Sequence, residues 1–230
     1  ESLGATHKLI GLILGSYGFT QMVLRIPLGI FSDRINKRKI FILFGIFISL
    51  ISALAMGLLK NPVFLLIFRG LTGVAAATWV AFTVLFSNYF PENETSKAMG
   101  YINSFNSLGQ MSAMLLGGII AQNLGPRAPF FLASLGGVLG FVLFFGIIEQ
   151  KIDRKPLEFS TLFAVGKDRN LLSVSGLAII MQLITFATVF GFTPIAAEKI
   201  GANDFQLGLL STLSTLPVIF SSAMSGSIFA

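Results

Sequence analysis

The chain has 230 residues, 54% of them hydrophobic and only 11% charged, with a formal net charge of +6 and no cysteine. A water-soluble domain carries about 25% charged residues because its surface faces water, so this composition excludes one. The lack of cysteine removes disulfides, thiol nucleophiles and cysteine metal sites, and the single histidine, His7, gives little basis for metal ligation or histidine-dependent catalysis.

Seven apolar stretches, at 9–31, 40–59, 63–86, 99–121, 129–148, 171–192 and 207–230, are long enough to cross a membrane. A hydrocarbon core of roughly 30 Å takes about 20 helical residues. A β-barrel would need strands of alternating polarity, and runs such as FILFGIFISLISALAMGLL have none, so the expected fold class is an all-α polytopic membrane protein.

Assigning alternate loops to opposite sides puts Arg34, Lys37, Arg38, Lys39, Lys97, Lys151, Arg154, Lys155, Lys167 and Arg169 together, against Lys8, Lys60, Arg127 and Lys199. The first group marks the cytoplasmic side, and the basic excess is read as topology charge rather than as nucleic-acid binding. The expected partner is the lipid bilayer. The longest loop divides the chain into a helical bundle over 1–148, a cytoplasmic loop over 149–170 and the start of a second bundle over 171–230. Within it, Leu157, Leu162, Phe163 and Val165 fit either a short amphipathic helix on the membrane or a solvated linker. The last apolar stretch has no flanking charged anchor, so the chain is expected to be a fragment. An offset of 197 residues pairs Gly11 with Gly208, Leu12 with Leu209 and Gly29 with Gly226, a weak internal repeat.

In chain order, the first stretch carries Arg25 about two turns before Asp33, within reach of the cytoplasmic interface or of Asp33 itself. The turn over 29–38 reads GIFSDRINKR. Gly29 lets a neighbouring helix approach, Asp33 sets a carboxylate at the membrane edge for a helix N-terminus or an arginine, and Asn36 tolerates a left-handed turn conformation. Arg34, Lys37 and Arg38 hold the turn in the cytoplasm. In the third stretch Arg69 lies about six residues inside the outer end, where a charge is costly unless it faces a partner or water. It either faces a cavity, binding an anionic group or sensing a proton, or snorkels to the interface. Trp79, the only tryptophan, serves packing, interfacial anchoring or solute stacking.

Along the fourth stretch Asn103, Asn106, Ser107 and Gln110 recur at helical spacing as a polar stripe, with Gln110 the deepest. Gly136 and Gly140 in the fifth stretch match a small-residue packing pattern, and Gln182 and Thr185 in the sixth stand one turn apart. No aspartate or glutamate lies within the seven stretches, so a proton-coupling carboxylate lies elsewhere or Asp33 and Arg69 suffice. Paired carboxylates, metal ligands and a phosphate loop are all missing from the sequence pattern, which points away from an enzyme and from any cofactor. The count of seven alone suggests a receptor or light sensor, but a retinal protein needs a lysine in a late membrane helix, and 171–192 and 207–230 hold none.

The 29–38 turn resembles the signature of the major facilitator superfamily, G-x-x-x-D-[RK]-x-G-[RK]-[RK], found between its second and third membrane helices. Gly29, Asp33, Arg34, Lys37 and Arg38 match five of the six defined positions, and Asn36 stands where the second glycine would be. The resemblance implies two six-helix pseudo-repeats truncated at both ends, with the seven stretches as helices 2 to 8 and the 149–170 loop joining the halves. Ala230 then occupies the place of Asp33 in the second copy, whose signature is degraded. Arg69 and Gly73 resemble the helix 4 pattern in which an arginine is implicated in proton coupling. Gly109, Gly117 and Gly118 resemble the helix 5 antiporter pattern, but Ala113 and Met114 replace its Gly-Pro, which weakens an inference of antiport.

The resemblance therefore implies a secondary active transporter that moves a small solute by alternating access, most like the drug/proton antiporter branch and its proton-coupled efflux of hydrophobic compounds. Uptake of a sugar or organic anion is the alternative. The implied gating residues are Gly29, Asp33, Arg34, Lys37 and Arg38. Arg69, Gln110, Asn106 and Gln182 are implied for substrate or proton coupling, and Gly73, Gly109, Gly117 and Gly118 for helix packing. A small-molecule substrate and protons are the expected partners of a monomer that crosses an inner or plasma membrane several times.

Overall fold

The computed structural model describes residues 6–149 and 167–228. The amphipathic or linker segment expected around Leu157 to Val165 lies outside the described residues, as do Lys151, Arg154, Lys155 and Ala230. Helices make up the rest, and no strand occurs among the described residues. In order they are α1 (His7–Ile35), α2 (Arg38–Leu58), α3 (Pro62–Ala77), α4 (Trp79–Ser87), a short 3₁₀ turn (Glu92–Glu94), α5 (Thr95–Leu124) and α6 (Ala128–Phe145). After residues 150–166, which lie outside the described residues, come α7 (Arg169–Thr185), so that Arg169 and Asn170 of the expected 149–170 loop are helical, a π-helical segment (Phe186–Phe192), α8 (Thr193–Lys199) and α9 (Asp204–Ile228).

Local chemistry sets the helix ends. Thr6 accepts from the Leu9 N–H at 3.3 Å, and Asn61 accepts from Val63 N–H at 2.8 Å with Pro62 as the first helical residue. Both satisfy amides that have no partner within their helix, and proline costs nothing at that first position. Asp168 accepts from the N–H groups of Asn170 and Leu171 at the start of α7. Asn203 and Gln206 exchange side-chain and backbone bonds, each 2.9 Å, as a reciprocal cap on α9. Gly125, at φ +91°, ends α5 in a conformation that a side chain would strain.

Two apolar stretches are not simple helices. The third breaks at Thr78, whose N–H bonds to Ala75 O at 3.1 Å and whose Oγ1 bonds to the same carbonyl at 2.7 Å. The hydroxyl competes for the backbone, and the side chain fills a notch in α2 at Gly45, where a methyl group would collide with Thr78 Oγ1. The sixth stretch widens to a π-helix because Pro194 has no N–H to offer the preceding turn, and Thr193 N–H reaches back to Thr188 O.

Five helical spans, Lys8–Ile35, Arg38–Leu58, Pro62–Ser87, Ala128–Phe145 and Arg169–Lys199, are long and apolar enough to cross a membrane. Helix α5 falls short of that apolarity because of its Asn, Gln and Ser side chains, and it packs on α9. These two make the most extensive helix contact among the described residues. Large aliphatic side chains cover the outside, with Ile26 72% and Leu143 75% exposed. On a soluble protein so much apolar surface would drive aggregation, whereas acyl chains accept it.

Association of these helices rests on close approach, since lipid is as apolar as leucine and supplies no hydrophobic driving force. α1 crosses α3 at Gly73, where a methyl group would run into the Tyr17 carbonyl oxygen and lie 3.0 Å from Thr20 Cβ. α2 meets α6 at Gly137, with Leu50 Cβ 2.9 Å from the missing Cβ. α5 meets α9 glycine to glycine: a methyl on Gly118 would sit 2.7 Å from Asp204 O, and one on Gly208 2.7 Å from Met114 O. Gly109, Gly117 and Gly136 meet no neighbour among the described residues, and Gly29 has only an ordinary 3.5 Å approach to Val80.

This contrast predicts that Gly73→Ala and Gly118→Ala each destabilise the protein by about 1–3 kcal/mol through overpacking, while Gly117→Ala leaves it unchanged. Thermal unfolding of the three variants in detergent checks the difference. Equal melting at all three positions would contradict the assigned crossings.

Candidate functional site

Two places in the structure combine charge with constraint, one at the cytoplasmic edge and one inside the membrane span. At the edge, α1 ends at Asn36, whose φ of 51° makes it the only non-glycine residue with positive φ among those described. Its N–H donates to Ser32 O at 3.1 Å. Asparagine pays little for that left-handed cap, so it fills the place of the signature's second glycine without strain beyond the ordinary.

The tight turn returns Arg38 onto Asp33. Arg38 Nη2 donates to Asp33 Oδ1 at 2.7 Å, and Nη1 lies 3.5 Å from Asn36 Oδ1. The two partners differ in exposure: the Arg38 side chain is 7% exposed and that of Asp33 52%. The buried guanidinium depends on its carboxylate, because a charge left without one inside the protein is costly. Arg34 and Lys37 are exposed beside this pair.

Glu149 was not among the residues that sequence reasoning singled out, yet it completes the edge. α2 begins after Lys37, which makes no side-chain cap. The Glu149 carboxylate, 111 residues later, takes the place of a cap: Oε1 accepts from Arg38 N–H at 2.6 Å and Oε2 from Lys39 N–H at 3.2 Å. An anion at a helix N-terminus satisfies orphan amides and meets the positive end of the helix dipole. Lys39 answers in the other direction, its Nζ donating to Phe145 O and Ile147 O, both at 2.6 Å, at the C-terminal end of α6. Tyr89 Oη adds a bond to Ile148 O at 2.5 Å. Three helix ends, those of α2, α4 and α6, are thereby tied around residues 145–149.

Inside the span, Arg69 sits on α3 with its guanidinium carbon 4.9 Å from the centre of the Tyr17 ring on α1. It is half-buried and pairs with no carboxylate among the described residues. A cavity of about 550 Å³ opens between α1, α2, α3, α4 and α6; Arg69 does not line it, but Tyr17, the ring that Arg69 lies against, does. Tyr17, Trp79, Phe82 and Phe144 give the cavity an aromatic wall, and Ser49 and Thr72 contribute hydroxyls. The rings stack in sequence, Trp79 on Phe82 at 5.5 Å and Phe82 on Phe144 at 5.9 Å.

The other residues singled out for substrate are not gathered here. Asn106 and Gln110 lie one turn apart on an exposed face of α5, with Asn103, while Ser107 is buried. Gln182 is exposed on α7, which packs only against its own π-helical continuation among the described residues. Arg25 is exposed on α1.

Replacing Glu149 by Ala should cost about 1 kcal/mol, the ordinary loss of a cap, and Glu149→Gln less, because the amide oxygen still accepts one N–H. Melting temperatures in detergent measure this. A Glu149→Ala protein as stable as wild type would contradict the tie.

Comparison with known proteins follows the same lines. The chain is 29% identical over 226 residues to an uncharacterized MFS-type transporter of Methanocaldococcus jannaschii, covering 94% of this chain and 58% of that protein. It is 26% identical over 223 residues to Multidrug resistance protein 2 of Bacillus subtilis, covering 91% and 55%. It is 25% identical over 151 residues to Quinolone resistance protein NorA of Staphylococcus aureus, covering 65% and 38%. The chain thus spans less than two thirds of the length of these relatives. All of residues 1–230 match the Major Facilitator Superfamily. With the glycine crossings, the 29–38 turn and the apolar helical spans already in place, this match makes the chain a multi-pass membrane protein that belongs to the Major Facilitator Superfamily.

Proposed function

We propose that the protein is a secondary active transporter that expels hydrophobic compounds, drugs among them, across an inner or plasma membrane in exchange for protons. The observation that carries the reading is Arg69: a half-buried cation within a membrane-spanning helix, without a carboxylate partner among the described residues and stacked on Tyr17, part of the wall of an aromatic cavity. A charge kept in that setting is expensive and marks a solute or proton path. The drug-resistance names of two relatives support efflux as the direction.

In this reading the helices over 1–148 and those from 171 onward rock against each other around a central path. The tied ends of α2, α4 and α6 keep the first group rigid at the cytoplasmic edge. Asp33 keeps one oxygen on Arg38, and the other, in a half-exposed side chain, has no partner among the described residues and is available to a helix N-terminus of the second group when the outward-facing state closes the cytoplasmic side. Gln110, Asn106 and Gln182 approach the solute only in the assembled path.

A second reading, uptake of an organic anion, rests on the same free guanidinium, which suits a carboxylate. Expression of the complete reading frame in bacteria lacking their major efflux pumps separates the two. Efflux predicts lower ethidium and norfloxacin accumulation, reversed by a protonophore and abolished in Arg69→Gln. Unchanged accumulation with faster entry of labelled benzoate would favour uptake instead.

Asp33→Asn should keep the Arg38 contact, since an amide oxygen still accepts, and slow transport in vesicles about tenfold, a change equivalent to ~1.4 kcal/mol. Wild-type turnover in that variant, at normal membrane levels, would remove the latch role.

A further inference from the structure

Nothing in the transport reading requires Tyr17, yet the structure puts its ring under the one charge on which that reading depends. The α1–α3 crossing fixes it there. Gly73 brings the Tyr17 backbone against α3, Gly70 lies within 3.6 Å of Thr20 Oγ1 by its missing Cβ, and Ser16 Oγ reaches Leu66 O at 3.5 Å. The ring is therefore carried on the most closely packed part of that helix pair. The Tyr17 hydroxyl makes no hydrogen bond among the described residues, so the aromatic ring and not the phenol engages Arg69.

We infer that Tyr17 is a positioning residue for Arg69, holding its guanidinium against a ring that itself lines the cavity, so that the N–H groups stay available to meet an anionic group of the solute. The inference rests on the use of Arg69 in transport proposed above. A ring face attracts the cation through its quadrupole and occupies none of the five N–H donors, whereas a carboxylate partner would consume two of them. Half-burial strengthens the attraction by removing competing water. The same ring lines the cavity, so a solute entering from that side meets a cation already oriented.

The test uses the complete protein, purified, with two readouts. Transport of norfloxacin, a quinolone with a carboxylate, into inverted vesicles gives KM and turnover separately. Thermal unfolding in detergent gives a double-mutant cycle for Tyr17→Leu and Arg69→Gln. Tyr17→Phe and Tyr17→Trp, which keep a ring, should hold KM within about twofold of wild type, and Tyr17→Leu should raise KM about tenfold with little change in turnover. Added to Arg69→Gln, which already abolishes transport, Tyr17→Leu should not lower the melting temperature further. A Tyr17→Phe variant as damaged as Tyr17→Leu would assign the effect to the hydroxyl and overturn the inference, as would additive losses in the melting cycle. If wild type does not move norfloxacin, the efflux reading fails, and the melting cycle still decides whether Tyr17 holds Arg69.

Discussion

Close backbone approach at a few glycines is the constraint on which this structure depends. Water forces apolar helices together in a soluble protein, but in lipid the same side chains are satisfied when apart. What remains is contact between surfaces that fit. Gly73 against Tyr17 O, Gly45 against Thr78, Gly137 against Leu50 and Gly118 against Gly208 are the places where α1, α2, α3, α5, α6 and α9 meet most closely. The functional geometry inherits from them: Tyr17 reaches Arg69 because Gly73 permits the crossing, and the Thr78 break beside the cavity is seated in the notch at Gly45.

The cytoplasmic edge uses a different physics, because water is near and charges are tolerable there. Its bonds join helix ends rather than helix faces. Glu149 serves the free amides of α2 while Lys39 serves the free carbonyls of α6, so each helix caps the other across 110 residues of sequence. Asp33 and Arg38 close the turn between α1 and α2 beside this joint. An edge built from reciprocal caps is stiff within the first group of helices and leaves the outer carboxylate oxygen of Asp33 without a partner among the described residues, the arrangement that the proposed latch uses.

Hydropathy is legible in sequence because each membrane span must satisfy its own backbone, so the seven apolar stretches appear as helical segments among the described residues. Asn36 is legible for a local reason, its tolerance of positive φ, and the 29–38 signature carries family membership directly. The interruptions are harder to read. Thr78 ends α3 through a bond to its own helix and a notch on α2, and neither leaves a mark that hydropathy can show. Glu149 looks like one loop charge among several, and its role depends on the fold returning α6 to the start of α2. The one sequence hint is negative: Lys37 is a poor cap, so the amides of α2 must find an acceptor from elsewhere. Among glycines, Gly109 and Gly117 meet no neighbour among the described residues, while Gly208, noted only from a weak repeat, forms half of the α5–α9 crossing. Of the residues chosen for polarity alone, Asn106 and Gln110 share a face of α5 while Gln182 stands on α7, because polarity marks candidates without placing them.

The absence of native cysteine in this chain allows the proposed rocking motion to be followed with paired spin labels. Labels at the exposed positions Lys37 and Glu92 report on the first group of helices, and labels at Lys37 and Arg169 span the two groups. Pulsed electron paramagnetic resonance on the complete protein in lipid should show one Lys37–Glu92 distance under all conditions. It should show two Lys37–Arg169 distances whose populations shift when norfloxacin or a proton gradient is added. A single Lys37–Arg169 distance indifferent to both, or a Lys37–Glu92 distance that changes as much, would contradict alternating access by a rigid first half.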